Sequence, residues 1–394
     1  MKHNLLLAFV LLISTVITSC KKDTLFTGTR GELIEQQSVA SISAYEVPSY
    51  IDEFDAQALA FLDVEAIRLV YHTEFEGKGI QASGLLLMPK NSDSTYLMMY
   101  CHGTLVPSKL LGSRKSTPSY YNGSKDNFFE VRNVGLAFAT QGYAVFIPDY
   151  IGYGTTENKE HPYILFGEQF KSNIDGMLAA KKVLQEKGKL FTNRLFIAGW
   201  SQGAGCAISA HRFTQEQYSA DFTMIASSGY AGPYDFEKFA DEILQSPNKA
   251  ADVMPLFCWY AYVMNRYEGL NRPTDQMFTF PVYDQFSAVL APSNVPSEIL
   301  QDYLIAGLRD KSDEAIMSRL RANSFHSGWL PQGKVFLHHG KEDKMIPYVN
   351  STSAYENLTA EGGDITLYGY DDGDHFNVLK NFVQTTITDF NALR

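Results

Sequence analysis

Leu195-Phe196-Ile197-Ala198-Gly199-Trp200-Ser201-Gln202-Gly203-Ala204-Gly205-Cys206-Ala207 decides how the rest of the chain is read. The apolar run 195–198 predicts a short buried strand. The small residues from Gly203 to Ala207 predict a helix packed close against it. Between them, Gly199-x-Ser201-x-Gly203 has the G-x-S-x-G spacing of a nucleophile elbow. There a serine sits on a strained strand-to-helix turn, and only glycine-like neighbours leave room for it. The strain lifts the Ser201 oxygen clear of a sheet, with a helix N-terminus beneath it. Gly199 and Gly203 are the elbow residues.

Outward from the elbow, strands alternate with helices. Residues 67–75 and 79–88 predict two strands joined by a turn at Glu76-Gly77-Lys78. A fully apolar third strand, 96–100, runs into Cys101-His102-Gly103-Thr104. Residues 128–140 predict a helix and 143–147 a strand ending in Pro148-Asp149-Tyr150. Phe170, Ile174, Met177 and Leu178 keep helical spacing on one face. Further strands follow at 222–226, 334–339 and 365–368, and a last helix at about 376–393. Buried strands with little polar alternation, separated by helices, imply an α/β fold with a mostly parallel sheet covered on both faces. The opening hairpin supplies an antiparallel edge.

Residues 233–332 interrupt the alternation. A crossover between parallel strands needs about a dozen residues, so the surplus should form an inserted subdomain. Its segments 236–244, 250–267, 297–308 and 313–321 look helical. Residues 253–264 are nearly all apolar and include Phe257, Trp259, Tyr260 and Tyr262. One face of this helix is expected in the core of a helical cap, and another lining a substrate pocket.

A serine nucleophile needs a base, and the base needs an orienting acid. Two segments beyond the elbow supply candidates. His339-Gly340-Lys341-Glu342-Asp343 follows the strand 334–339. An acid there lies at a strand's carboxyl end, where α/β sheets place their sites. Asp371-Asp372-Gly373-Asp374-His375 follows the strand 365–368, and His375 is the only histidine after the acid loop. Its three acidic neighbours read as solvated turn residues that favour its charged form. Two backbone N–H groups must hold the oxyanion. Gln202, directly after the serine, should give one and Thr104, in the loop after the third strand, the other. His102 is expected to shape that loop.

The chain resembles secreted bacterial lipases and esterases of the α/β-hydrolase superfamily, akin to fungal-type secretory lipases and to cell-wall-degrading esterases of the lipase A type. The likeness runs from about Val70 to the C-terminus. It is carried by His102-Gly103-Thr104, Asp149 to Gly154, His161-Pro162-Tyr163, Gly199 to Gly203, Gly229 to Asp235 and His339 to Pro347. It implies an α/β-hydrolase fold with an inserted helical cap, and a catalytic triad of Ser201, Asp343 and His375. Asp343 is preferred to Glu342 because the turn after His339-Gly340 resembles the family's acid loop. No motif matches in the cap, so the resemblance carries no specificity with it.

The chain has 394 residues and a formal charge of −11, enough for a large core and too acidic to favour nucleic acid or anionic lipid. At the N-terminus, Lys2, the apolar run 5–13 and Ile17-Thr18-Ser19-Cys20 resemble a signal peptide ending in a bacterial lipobox, with Cys20 acylated. The expected organisation is signal peptide 1–19, lipidated tether 20–45, hydrolase core 46–232 and 333–394, and cap 233–332. Such a protein would be exported and held at the cell envelope by lipid, touching the membrane through that anchor alone. Cys101, Cys206 and Cys258 are too few and too scattered for a disulfide framework and read as buried free thiols.

The residues therefore predict a carboxylic ester hydrolase of lipase or esterase type that works through an acyl-enzyme, without metal or cofactor. Its substrate would be a small-molecule ester with a short to medium acyl group and a small or glycan-linked alcohol. Two alternatives stand beside it: a serine peptidase of the prolyl oligopeptidase type, and an inactive hydrolase fold serving as a surface-binding lipoprotein.

Overall fold

A nine-stranded sheet organises the described residues, in the order β1-β2-β3-β5-β4-β6-β7-β8-β9. The computed structural model describes residues 28–51, 61–107, 110, 117–125 and 128–394. The expected signal peptide and Cys20 lie outside them. The strands are β1 (Leu33–Ile42), β2 (Val64–Phe75), β3 (Lys78–Pro89), β4 (Tyr96–Cys101), β5 (Tyr143–Pro148), β6 (Arg194–Trp200), β7 (Thr223–Tyr230), β8 (Lys334–Gly340) and β9 (Asp364–Tyr370). From β5 onward in sheet order every neighbour is parallel. The pairs β1/β2, β2/β3 and β3/β5 are antiparallel.

The expected tether is too long. Leu33–Ile42, within residues 20–45, is a strand and forms the outer edge of the sheet through its pairing with β2. Its Glu35-Gln36-Gln37-Ser38 run shows no apolar alternation. An edge strand gains its place by main-chain bonding, and polar side chains on it discourage further pairing.

Two apolar layers sandwich the sheet. One holds α1 (Leu136–Ala139), which a π-helical turn at Val131–Gly135 precedes, and the C-terminal α11 (Leu379–Leu393). In α11 the buried residues Leu379, Phe382, Val383, Thr386, Ile387 and Phe390 fall at helical spacing on one face. The other layer holds α2 (Phe166–Glu186) and α3 (Gln202–Gln217), and its apolar cluster runs on into the chain inserted between β7 and β8. That insertion carries α4 (Phe236–Leu244), α5 (Met254–Tyr267), α6 (Gln285–Val289), α7 (Pro296–Ile299), α8 (Asp302–Arg309) and α9 (Glu314–Ala322). After β8 comes α10 (Val349–Ala360).

Three departures from the sequence reading have local causes. The single helix expected over 297–308 is broken, because Leu300 bridges to Phe278 and the amide of Gln301 donates to Met277 O. Helix α6 was not anticipated; Asp284 starts it with a capping box to Ser287. The last helix begins at Leu379, not near 376. The Asp374 carboxylate takes the amides of Phe376 and Asn377, which holds His375 in a loop ahead of the helix.

Candidate active site

The elbow stands at the C-terminal end of β6. Ser201 has φ 57° and ψ −121°, a region that side chains rarely enter and that persists only where packing dictates it. Its amide donates to Tyr230 O at 2.8 Å. Both elbow glycines are sterically required. A Cβ on Gly203 would stand 1.9 Å from Cys101 O, and one on Gly199 would stand 2.1 Å from Gly203 O. The tight crossing of β4, β6 and α3 thus excludes any larger residue.

The three candidate triad residues meet here. His375 Nε2 lies 3.0 Å from Ser201 Oγ, and His375 Nδ1 lies 2.7 Å from Asp343 Oδ2. Asp343 Oδ1 accepts the amides of Met345 and Ile346, at 2.8 and 2.9 Å. Asp343 is 7% exposed and His375 5%. Burial alone would raise the Asp343 pKa. Hydrogen bonds from His339 and His375 outweigh it and hold the carboxyl well below the usual range. An ionised Asp343 only accepts, so the His375 proton sits on Nδ1 and the lone pair of Nε2 faces the serine. Glu342, the other acid of the loop, is exposed. Of the neighbouring acids, Asp371 pairs with Lys341, and the Asp374 carboxylate accepts loop amides.

His339 was not singled out for this role. Its Nδ1 accepts from the Ser351 hydroxyl at 2.7 Å. Its Nε2 donates to Ile346 O at 2.8 Å and lies 3.3 Å from Asp343 Oδ2. It thus meets the same carboxylate oxygen as His375.

The candidate oxyanion donors line the same cleft as the serine. Among the described residues, the amides of Gln202 and Thr104 have no acceptor. The neighbouring Gly103 amide is already taken: Glu130 Oε1 and Oε2 both accept it at 3.0 Å, and Glu130 Oε2 also accepts the Tyr100 hydroxyl at 2.6 Å. Glu130 is 6% exposed, and burial pushes its pKa up to about 7. It was missed because no motif links it to a loop 27 residues earlier. His102 packs on Tyr150 with ring centroids 4.1 Å apart. Burial lowers its pKa to about 4, so it is a neutral part of the loop's floor.

Ser201, Gln202, Thr104 and His375 open into a cleft of about 220 Å³. Its remaining wall is largely apolar, and the inserted helices supply Phe239, Val253, Leu256, Phe257 and Tyr260. The aromatic helix α5 thus shows one face to the cleft, while Trp259 and Cys258 are buried away from solvent. Cys101, Cys206 and Cys258 are free and buried. Among the described residues, no group of three or more His, Cys, Asp or Glu is placed to hold a metal ion, and no helix is long and apolar enough to cross a membrane.

No protein-family model matches the chain, and no curated protein does. Solved structures do match. A Legionella pneumophila protein with a provisional hydrolase assignment superposes with TM-score 0.79 at 20% identity, over 92% of this chain and 98% of its own. The rice cell wall degrading esterase LipA of Xanthomonas oryzae gives 0.76 at 20% identity, over 93% and 100%. The chain has the α/β-hydrolase fold. Candida antarctica lipase A in its closed state shares it more distantly, with TM-score 0.63 at 15% identity, over 93% of this chain and 83% of its own. In this chain the elbow, acid loop and histidine loop follow β6, β8 and β9, all at the carboxyl edge of the parallel strands.

Proposed function

We propose that the protein is a serine carboxylic ester hydrolase working through an acyl-enzyme. The observation that carries this reading is the unbroken relay from Ser201 Oγ through His375 to Asp343, at 3.0 and 2.7 Å, on the floor of an apolar cleft. Ser201 attacks the ester carbonyl while His375 Nε2 takes its proton. The carbonyl oxygen, now negative, is held by the Gln202 and Thr104 amides. His375 then hands the proton to the departing alcohol, and Ser201 keeps the acyl group. Water, deprotonated by the same nitrogen, releases the acid. The ionised Asp343 holds the ring and stabilises the imidazolium in each half-reaction.

The cleft favours esters with short to medium acyl chains, since its volume lies below the roughly 300–1,000 Å³ of drug-sized sites. No acidic side chain from the inserted helices lines it, and the carboxylate that does, Glu130, is taken up by the Gly103 amide and the Tyr100 hydroxyl, which disfavours pairing with a peptide's amino terminus. The esterase and lipase named above have the same fold and chemistry in their names, which agrees with this reading. The lipobox-like Cys20 favours export and lipid anchoring at the cell envelope; loss of detergent-phase partitioning in Cys20→Ser checks that separately.

A panel of p-nitrophenyl esters of graded chain length, run beside aminoacyl p-nitroanilides, tests the reaction class. Turnover of the short esters is expected, falling with acyl length. Faster turnover of the anilides would turn the reading to a peptidase, and no turnover of either would turn it to a binding protein.

A further inference from the structure

The loop that carries Thr104 has no regular secondary structure over residues 102–107, so its amide is aimed only by what holds the loop. Glu130 holds one side through Gly103. Three tyrosine hydroxyls from the segment 150–163 hold the other. Tyr150 donates to His102 O at 2.9 Å, Tyr153 donates to Leu105 O, and Tyr163 Oη lies 3.0 Å from Thr104 Oγ1.

Of these three, Tyr163 is the one whose ring meets an aromatic ring of the inserted helices. It lies flat on Trp259 of α5, with ring centroids 4.1 Å apart and an interplanar angle of 4°. The segment around it is tied to the same helices at further points. The His161 amide donates to Gln285 Oε1 of α6 at 3.0 Å. Glu160 accepts the Tyr262 hydroxyl at 3.2 Å and pairs with Arg266 Nε at 2.9 Å. Burial keeps the Tyr163 phenol well above its usual pKa, so it remains a hydroxyl at any working pH.

We propose that Tyr163 is a positioning residue for the ester hydrolysis put forward above: its hydroxyl holds Thr104 in aim, and its ring takes its own place from Trp259. The seating of the cap is thereby carried to the second oxyanion donor. The oxyanion exists only after attack, so loss of this aim falls on kcat and spares ground-state binding in the apolar cleft. A misplacement of about 1 Å can cost up to ~10²-fold, and a lost donor about 10²- to 10³-fold.

The test uses the whole protein, with p-nitrophenyl acetate and hexanoate as substrates and active sites counted by fluorophosphonate titration. Tyr163→Phe keeps the ring and loses the hydroxyl; Thr104→Val keeps the amide and loses its partner. Each should lower kcat per titrated site about tenfold, with KM within about twofold of wild type, and the double variant should fall no further. Trp259→Leu should lower kcat in the wild-type background and do nothing further in Tyr163→Phe. An unchanged kcat in Tyr163→Phe, or losses that multiply in the double variant, overturns the proposal, as does a Trp259→Leu effect of equal size in both backgrounds. Should Trp259→Leu not fold, the Tyr163/Thr104 cycle decides alone. Failure of the underlying reading looks different: the wild type itself leaves Ser201 unlabelled, and both proposals fall together.

Discussion

Asp343 lies between two imidazoles, and its two oxygens serve different ends: Oδ1 anchors its own loop, while Oδ2 orients His375. A unit built this way loses function as a unit. Ser201→Ala and His375→Ala should each lower kcat by roughly 10³- to 10⁶-fold, and the double variant little more. Asp343→Asn should cost less than Ser201→Ala, and exposed Glu342→Gln almost nothing. Steady-state kinetics on one short ester compares all five; a large loss in Glu342→Gln with none in Asp343→Asn would reassign the acid. Glu130 makes a separate prediction about stability. Burial lifts its pKa from 4.5 to about 7, so between those values the folded state binds more protons than the unfolded. Stability then falls as pH rises through that window, and the loss is complete above about pH 7. Denaturation of wild type and Glu130→Gln at pH 4.5 and 8 should therefore show the wild type losing more, and parallel curves would remove the buried charge from the account. The residue types of the proposed triad were legible because the elbow, the acid loop and His375 each sit in a recognisable local pattern. Glu130 and His339 were not, since each acquires its role only from residues that folding brings to it.

At the scale of elements, the crossing of β4, β6 and α3 sets the elbow, and glycine is what lets them approach. Gly203→Ala drives a Cβ to within 1.9 Å of Cys101 O. The clash is with backbone, which has no flexible end to yield, so the variant should be destabilised by about 3 kcal/mol or more. Urea denaturation reads this directly; an unchanged midpoint would mean that the crossing is looser than described. The parallel strands were legible because burial on both faces makes them apolar runs, as in the fully buried Tyr143–Pro148. Strand β1 was not, because main-chain pairing with β2 holds a polar edge in place. The break between α7 and α8 was invisible for a similar reason: the groups that interrupt it, Met277 and Phe278, are more than twenty residues away.

At the scale of the whole molecule, one apolar cluster runs from the sheet through α2 and α3 into the inserted helices, while the second lies wholly on the opposite face. The cap is thus continuous with the core on the side that carries the cleft. That the segment 233–332 was surplus to a crossover was readable from its length. Which of its side chains would face Ser201, and that Trp259 would stack on Tyr163 from nearly a hundred residues away, depended on the assembled fold. The claim on which the rest depends is that Ser201, and no other hydroxyl, forms the covalent bond. Fluorophosphonate labelling followed by peptide mass mapping tests it most directly. A single adduct on Ser201, absent in His375→Ala, is the predicted result; an adduct elsewhere, or undiminished ester hydrolysis by Ser201→Ala, would contradict it.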